Sequence, residues 1–157
     1  MPLPDGSLLF DTGIYIRFTR GEGYSWLGED SRVFHRTILT AVVAAELYAG
    51  SRNQKEKRAL DQLCQAHEVL GHFISPPADS WTDAGILLRR ARSVFGHLDF
   101  VRHFRDALIA LEAARAGATL VTENSADFMR WKSLLRSARK TLKLFNPAPQ
   151  KFRGRGC

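Results

Sequence analysis

At 157 residues, 45% hydrophobic and 25% charged, the chain has the size and composition of one globular domain with a substantial core. No apolar run approaches the roughly 20 residues of a membrane helix, the N-terminal MPLPDG lacks the marks of a secretory signal, and Cys64 and Cys157 form no disulfide framework. A reducing, cytoplasmic setting is therefore expected.

The predicted elements alternate along the chain. Residues 7–15 read as a short buried strand, and residues 37–39 as a second strand leading into a helix that Thr40 caps and Gly50 closes. KEKRALDQLCQAHEVLGHF has helical spacing and ends at Gly71, and FISPP is a strand stopped by Pro76 and Pro77. A helix over about 80–95 and the strongly apolar helix of residues 106–116, closed by Gly117, follow. ATLVT is then a β-branched strand, SADFMRWKSLLRSA a helix, and TLKLFNP a last strand. This alternation predicts an α/β fold in three layers, α/β/α, around a central, mostly parallel sheet. The domain is read as residues 1–146, with a basic, flexible tail over 147–157.

The net charge of +7 is unevenly placed. Nine of the 23 Lys and Arg lie in residues 130–157, which hold no acid, so the rest of the chain is close to neutral. Such asymmetry points to a polyanionic partner, nucleic acid above all, because clustered cations displace condensed counterions. The expected contacts are Arg130, Lys132 and Arg136, together with Lys151, Arg153 and Arg155 around Phe152. A solvated tail that only aids solubility is the plainer reading.

Four acids stand in improbably apolar settings: Asp11 in LLFDTGIYI, Glu46 in AVVAAELYAG, Asp106 at the head of DALIALEAARA and Asp127 in TENSADF. Singly, each has an ordinary explanation. Asp106 and Asp127 suit helix N-termini, Glu46 suits an arginine partner, and Asp11 suits a turn cap. Taken together they suggest a cluster, which resists ionising unless a cation neutralises it. Ligation by oxygen alone suits Mg²⁺ or Mn²⁺. Zinc is disfavoured, because the five histidines form no HExxH and Cys64-x-x-His67 lacks a second pair. Asp99 is the rival acid, seven residues before Asp106.

LLFDTGIYI, LTAVVAAELYAG and DALIALEAARAGATLVTENSADF resemble the successive motifs of the PIN-domain ribonucleases, most closely the toxins of bacterial VapBC-type toxin–antitoxin systems. The resemblance spans residues 7–146. It implies an acidic quartet of Asp11, Glu46, Asp106 and Asp127 that is both catalytic and metal-binding, supported by Thr12, Thr122 and Asn124. It further implies an Mg²⁺-dependent endoribonuclease that leaves a 5′-phosphate and a 3′-hydroxyl on tRNA, ribosomal RNA or another cellular RNA. A homodimer and a cognate antitoxin that covers the acidic cleft are implied partners. Gly13 departs from the family pattern, which has Asn or Ser after Asp-Thr.

Two other readings compete. A non-catalytic nucleic-acid-binding module would keep the fold without turnover, and Gly13 favours it. Asp11-Thr12-Gly13 also resembles the aspartic protease triplet, but such proteases are almost wholly β, and the helical runs here do not fit that architecture.

Overall fold

The computed structural model describes residues 3–148. In chain order the elements are β1 (Leu8–Phe10), α1 (Thr12–Thr19), α2 (Trp26–Glu29), α3 (Ser31–Arg36), β2 (Thr37–Thr40), α4 (Ala41–Gly50), α5 (Gln54–Val69), β3 (Phe73–Ile74), α6 (Ala78–Phe95), α7 (Phe100–Ala116), β4 (Thr119–Val121), α8 (Ser125–Ser137) and β5 (Lys143–Phe145). The strands form one all-parallel sheet in the order β3-β2-β1-β4-β5. Every residue of β1 and β4 is buried, as in a sheet covered by helices on both faces. The three-layer α/β/α expectation is met.

Strand order decides where a site can form. From β1 the chain builds outward through β2 and β3, then returns to lay β4 against the other side of β1. The switch opens a crevice beyond the C-terminal ends of β1 and β4, where parallel α/β sheets gather their ligands. In register, Phe10 pairs with Val121, so the residues that follow each strand emerge side by side.

Two boundaries differ from the sequence reading. The first strand ends at Phe10, and a helix starts at Thr12 with Asp11 as its N-cap. Ile14 and Tyr15, read as strand, are instead the buried face of α1. The second difference is the start of α7, at Phe100 rather than at Asp106. Its cap is Asp99, which accepts a hydrogen bond from the Arg102 amide at 3.1 Å. Asp106 therefore lies nearly two turns inside the helix, beyond the reach of an N-terminal role. Gly117 closes α7 in the left-handed conformation, φ 64°, that glycine adopts without steric cost.

The basic tail beyond Ala148, with Lys151, Arg153, Arg155 and Cys157, lies outside the described residues.

Candidate active site

Asp11 forms the whole joint between β1 and α1. Its amide donates to the Val121 carbonyl at 3.0 Å, which continues the sheet one residue past the strand. Its carboxylate is held by neutral donors, with Thr12 N donating to Oδ1 at 2.8 Å and the Thr122 hydroxyl to Oδ2 at 2.9 Å. Burial nevertheless raises the Asp11 pKa, the Thr122 and Thr12 hydrogen bonds and the Arg105 charge opposing it.

The turn after β4 organises Asp127. Thr122 Oγ1 accepts the Asn124 amide at 3.0 Å, and Asn124 Nδ2 donates to Asp127 Oδ2 at 3.0 Å. Arg102 Nη2 donates to the same oxygen at 3.2 Å from α7. Asp11, Thr122, Asn124 and Asp127 thus form one hydrogen-bonded chain across the mouth of the crevice.

Glu46 from α4 and Asp106 from α7 complete the group. Arg105 Nε stands 3.0 Å from Glu46 Oε1, and Arg105 Nη2 stands 3.6 Å from Asp106 Oδ1. The contact to Glu46 is an ion pair rather than an aligned hydrogen bond, because Glu46 Oε1 has no hydrogen-bond partner. Asp106 Oδ2 and Thr12 Oγ1 are likewise buried and unpartnered. The Thr12 hydroxyl lies near enough to Glu46 to favour its ionised form, without an aligned bond between them.

The four carboxylates share one electrostatic environment. Burial raises Glu46, and the charges of Asp11 and Asp106 raise it further while Arg105 opposes. Asp106, only 3% exposed, is pushed up to about 6, chiefly by burial and then by Asp11 and Asp127, against Arg105 and Arg102. Orphaned buried oxygens, acids that ionise reluctantly and an all-oxygen donor set suit a hard divalent cation. The group is not ready-made, however. Among the described residues, no three acidic, His or Cys side chains converge closely enough to ligate one ion as they stand. A cation would be held here only after side-chain rotation.

The expected phosphate-binding cations are only partly at this place. Arg130 is one turn beyond Asp127 on α8 and packs its guanidinium 5.4 Å from the centre of the Phe95 ring. Lys132 and Arg136 lie farther along the helix, about 7 and 13 Å from Asp127 in axial rise.

Sequence reasoning missed Arg102 and Arg105, although their positions four and one residues before Asp106 placed them beside it. It also missed Glu123, which takes an ion pair from Arg17 at 2.9 Å and a hydrogen bond from the Tyr24 hydroxyl. These contacts pin α1 and the segment after it to the turn that follows β4. An apolar groove of about 680 Å³ runs between α1, α4 and α5 and meets the carboxylate cluster only at Glu46.

No protein-family model matches the sequence, and no curated protein is significantly similar to it. Solved structures are similar in fold. A chain in the structure of FitAB bound to an IR36 DNA fragment superposes with a TM-score of 0.65 at 18% identity, covering 93% of this chain and 99% of that one. VapBC2 from Rickettsia felis, bound to a DNA fragment from its promoter, gives 0.59 at 22% identity, with 90% and 98% covered. VapBC-1 from nontypeable Haemophilus influenzae gives 0.62 at 19%, with 88% and 96% covered. The chain therefore has the PIN-like α/β/α fold shared with the VapBC and FitAB assemblies, over nearly its whole length.

Proposed function

We propose that the chain is a divalent-metal-dependent endoribonuclease and the toxin partner of a toxin–antitoxin pair. The observation that carries this reading is the proximity of Asp11, Glu46, Asp106 and Asp127 at the topological switch of a PIN-like sheet, with two buried carboxylate oxygens lacking a hydrogen bond. Asp11, Glu46, Asp106 and Asp127 would hold Mg²⁺ or Mn²⁺. A bound cation supplies positive charge at the scissile phosphate and acidifies a water.

The protein's own contributions follow from its contacts. Thr122 and the Thr12 amide fix Asp11 in place, and Asn124 fixes Asp127. Asp106 Oδ2, buried and without a hydrogen-bond partner, is open to the cation or to a water beside it. Arg102 and Arg130 line the approach and attract the phosphate backbone. Single-stranded or looped RNA is the fitting substrate, since an A-form helix hides its base edges.

Support for an antitoxin partner comes from the neighbours, which are solved as VapBC and FitAB assemblies. The apolar groove that ends at Glu46 and is rimmed by Arg20, Arg52 and Lys55 is a surface such a partner would fill on its way to the carboxylates. A homodimer would cover the apolar corner of α6 and α7, where Val94, Phe100 and Val101 are exposed. No helix among the described residues is long and apolar enough to cross a membrane.

The test is RNA cleavage by the full chain with Mg²⁺, with Mn²⁺ and with EDTA, beside Asp106→Asn. Cleavage that requires the cation and disappears in Asp106→Asn upholds the reading. Equal cleavage by both proteins, or cleavage in EDTA, overturns it. RNA binding without cleavage under every cation would establish the non-catalytic module instead.

A further inference from the structure

We infer that Arg105 is a built-in counter-ion that occupies the carboxylate cluster when metal is absent and must leave for the cation to bind. The inference rests on the metal-dependent reading above and adds a residue of this chain that sets the affinity of the site.

Three observations converge on it. Arg105 reaches two of the four carboxylates at once, Glu46 at 3.0 Å and Asp106 at 3.6 Å. It is also the principal charge opposing the burial of Glu46 and Asp106, and it acts on Asp11 as well. Finally, its hold is undirected: one oxygen of each partner, Glu46 Oε1 and Asp106 Oδ2, stays without a hydrogen bond. Here one delocalised guanidinium charge is shared between two acids, and the bidentate match that its planar fork can make with a carboxylate is not formed with either. A divalent cation carries twice the charge and accepts oxygen ligands from every side.

The residue is placed to move. Its side chain is 41% exposed, so the head group has a path to water while the apolar stem stays against the helix. Arg102 is more exposed still, but it is held by an aligned hydrogen bond to Asp127 Oδ2, an oxygen that Asn124 also supports. Without Arg105, the metal-free chain would hold Asp106 buried among like charges. With it, the chain can fold before a cation arrives, and metal affinity becomes the outcome of a competition.

The experiment is Mn²⁺ binding to the full metal-free chain, measured by calorimetry and by the electron paramagnetic resonance of free Mn²⁺. Wild type is compared with Arg105→Gln, Arg105→Lys and, as a control of equal charge loss elsewhere, Arg90→Gln. Arg105→Gln is expected to bind Mn²⁺ about tenfold more tightly, a figure reduced for the partial exposure of the pair. Arg105→Lys, which keeps the charge and loses the fork, should tighten less, and Arg90→Gln should match wild type. The metal-free Arg105→Gln protein should melt below wild type and gain more from added Mn²⁺, since a ligand stabilises in proportion to its affinity. Circular dichroism of each variant shows whether it is folded, and Arg105→Lys retains the comparison if Arg105→Gln is not. Equal affinities in wild type and the folded Arg105 variants overturn the inference and leave the nuclease reading standing, as does equal tightening in Arg90→Gln. Absence of Mn²⁺ binding in all four proteins overturns both.

Discussion

Helix α7 buries two acids six residues apart, Asp106 at 3% and Glu112 at 2% exposure, and burial raises the pKa of both. Their surroundings differ. Asp106 lies near three other carboxylates and carries an oxygen with no partner. Glu112 accepts a hydrogen bond from Ser80 at 3.4 Å, and Arg115 donates to the same Ser80 hydroxyl at 3.2 Å. A buried acid is therefore not a functional mark by itself. Unsatisfied oxygens and repelling neighbours distinguish a group prepared for a ligand from one already accommodated by the fold.

The largest test of this contrast is catalytic. Asp106→Asn should lower cation-dependent RNA cleavage by about two to three orders of magnitude or more, while Glu112→Gln should cleave at the wild-type rate. Comparable losses in both, measured on the same RNA, would mean that burial rather than company matters. Stability should rank them the other way. Glu112→Ala removes packed methylenes, leaves the Ser80 hydroxyl without its acceptor and takes the opposing charge from Arg115, at a cost of about 2 kcal/mol in denaturant unfolding. Asp106→Asn in EDTA should cost nothing or stabilise, because it removes a buried charge from a repelling group.

The pH dependence sharpens the same point. The pKa of Asp106 is about 6 in the folded protein against 3.8 ordinarily, so between those values the folded state binds more protons than the unfolded one. Its contribution to stability is then present at low pH and lost as pH rises from about 4 to about 6. In EDTA, the melting temperature of wild type relative to Asp106→Asn should fall over that window. Added Mg²⁺, which binds the ionised form, should reverse the slope. A difference between the two proteins that ignores pH would contradict the assigned environment.

The smallest expected effect concerns Gly13, an exposed helical position where an added Cβ would meet nothing within 4 Å. Gly13→Ala should stabilise the chain by about 0.5–1 kcal/mol. The fold does not demand glycine here, so Asn or Ser would fit sterically. Gly13→Ser would show by its Mn²⁺ affinity whether a side chain there assists the cluster.

Much of this architecture was legible in the sequence. Thr40 and Gly117 mark helix ends by local chemistry, and the apolar runs around Leu9 and Leu120 mark buried strands. The start of α7 was not, because Phe100 and Val101 are 67% and 78% exposed and present no core-facing period. The end of β1 was hidden for a related reason: a strand buried on both faces and the inner face of the next helix read as one apolar run. The acids were legible only in part. An apolar setting marked Asp106, but it points equally to Glu112, which the sequence reading did not single out. Arg105 escaped notice because its partner Glu46 lies on another helix, far away in the chain.

The hydroxyl of Thr122 has a single hydrogen to give. It accepts the Asn124 amide on a lone pair, so that hydrogen goes to Asp11 Oδ2, which must act as acceptor. The wiring therefore has a polarity: the hydroxyl that gives its hydrogen to Asp11 also holds the turn that aims Asn124 at Asp127. Protonation of Asp11 at that oxygen would reverse the bond, and the second lone pair of the hydroxyl would still hold the Asn124 amide. A threonine at the end of one strand thus joins two acids, remote in sequence, through one hydroxyl.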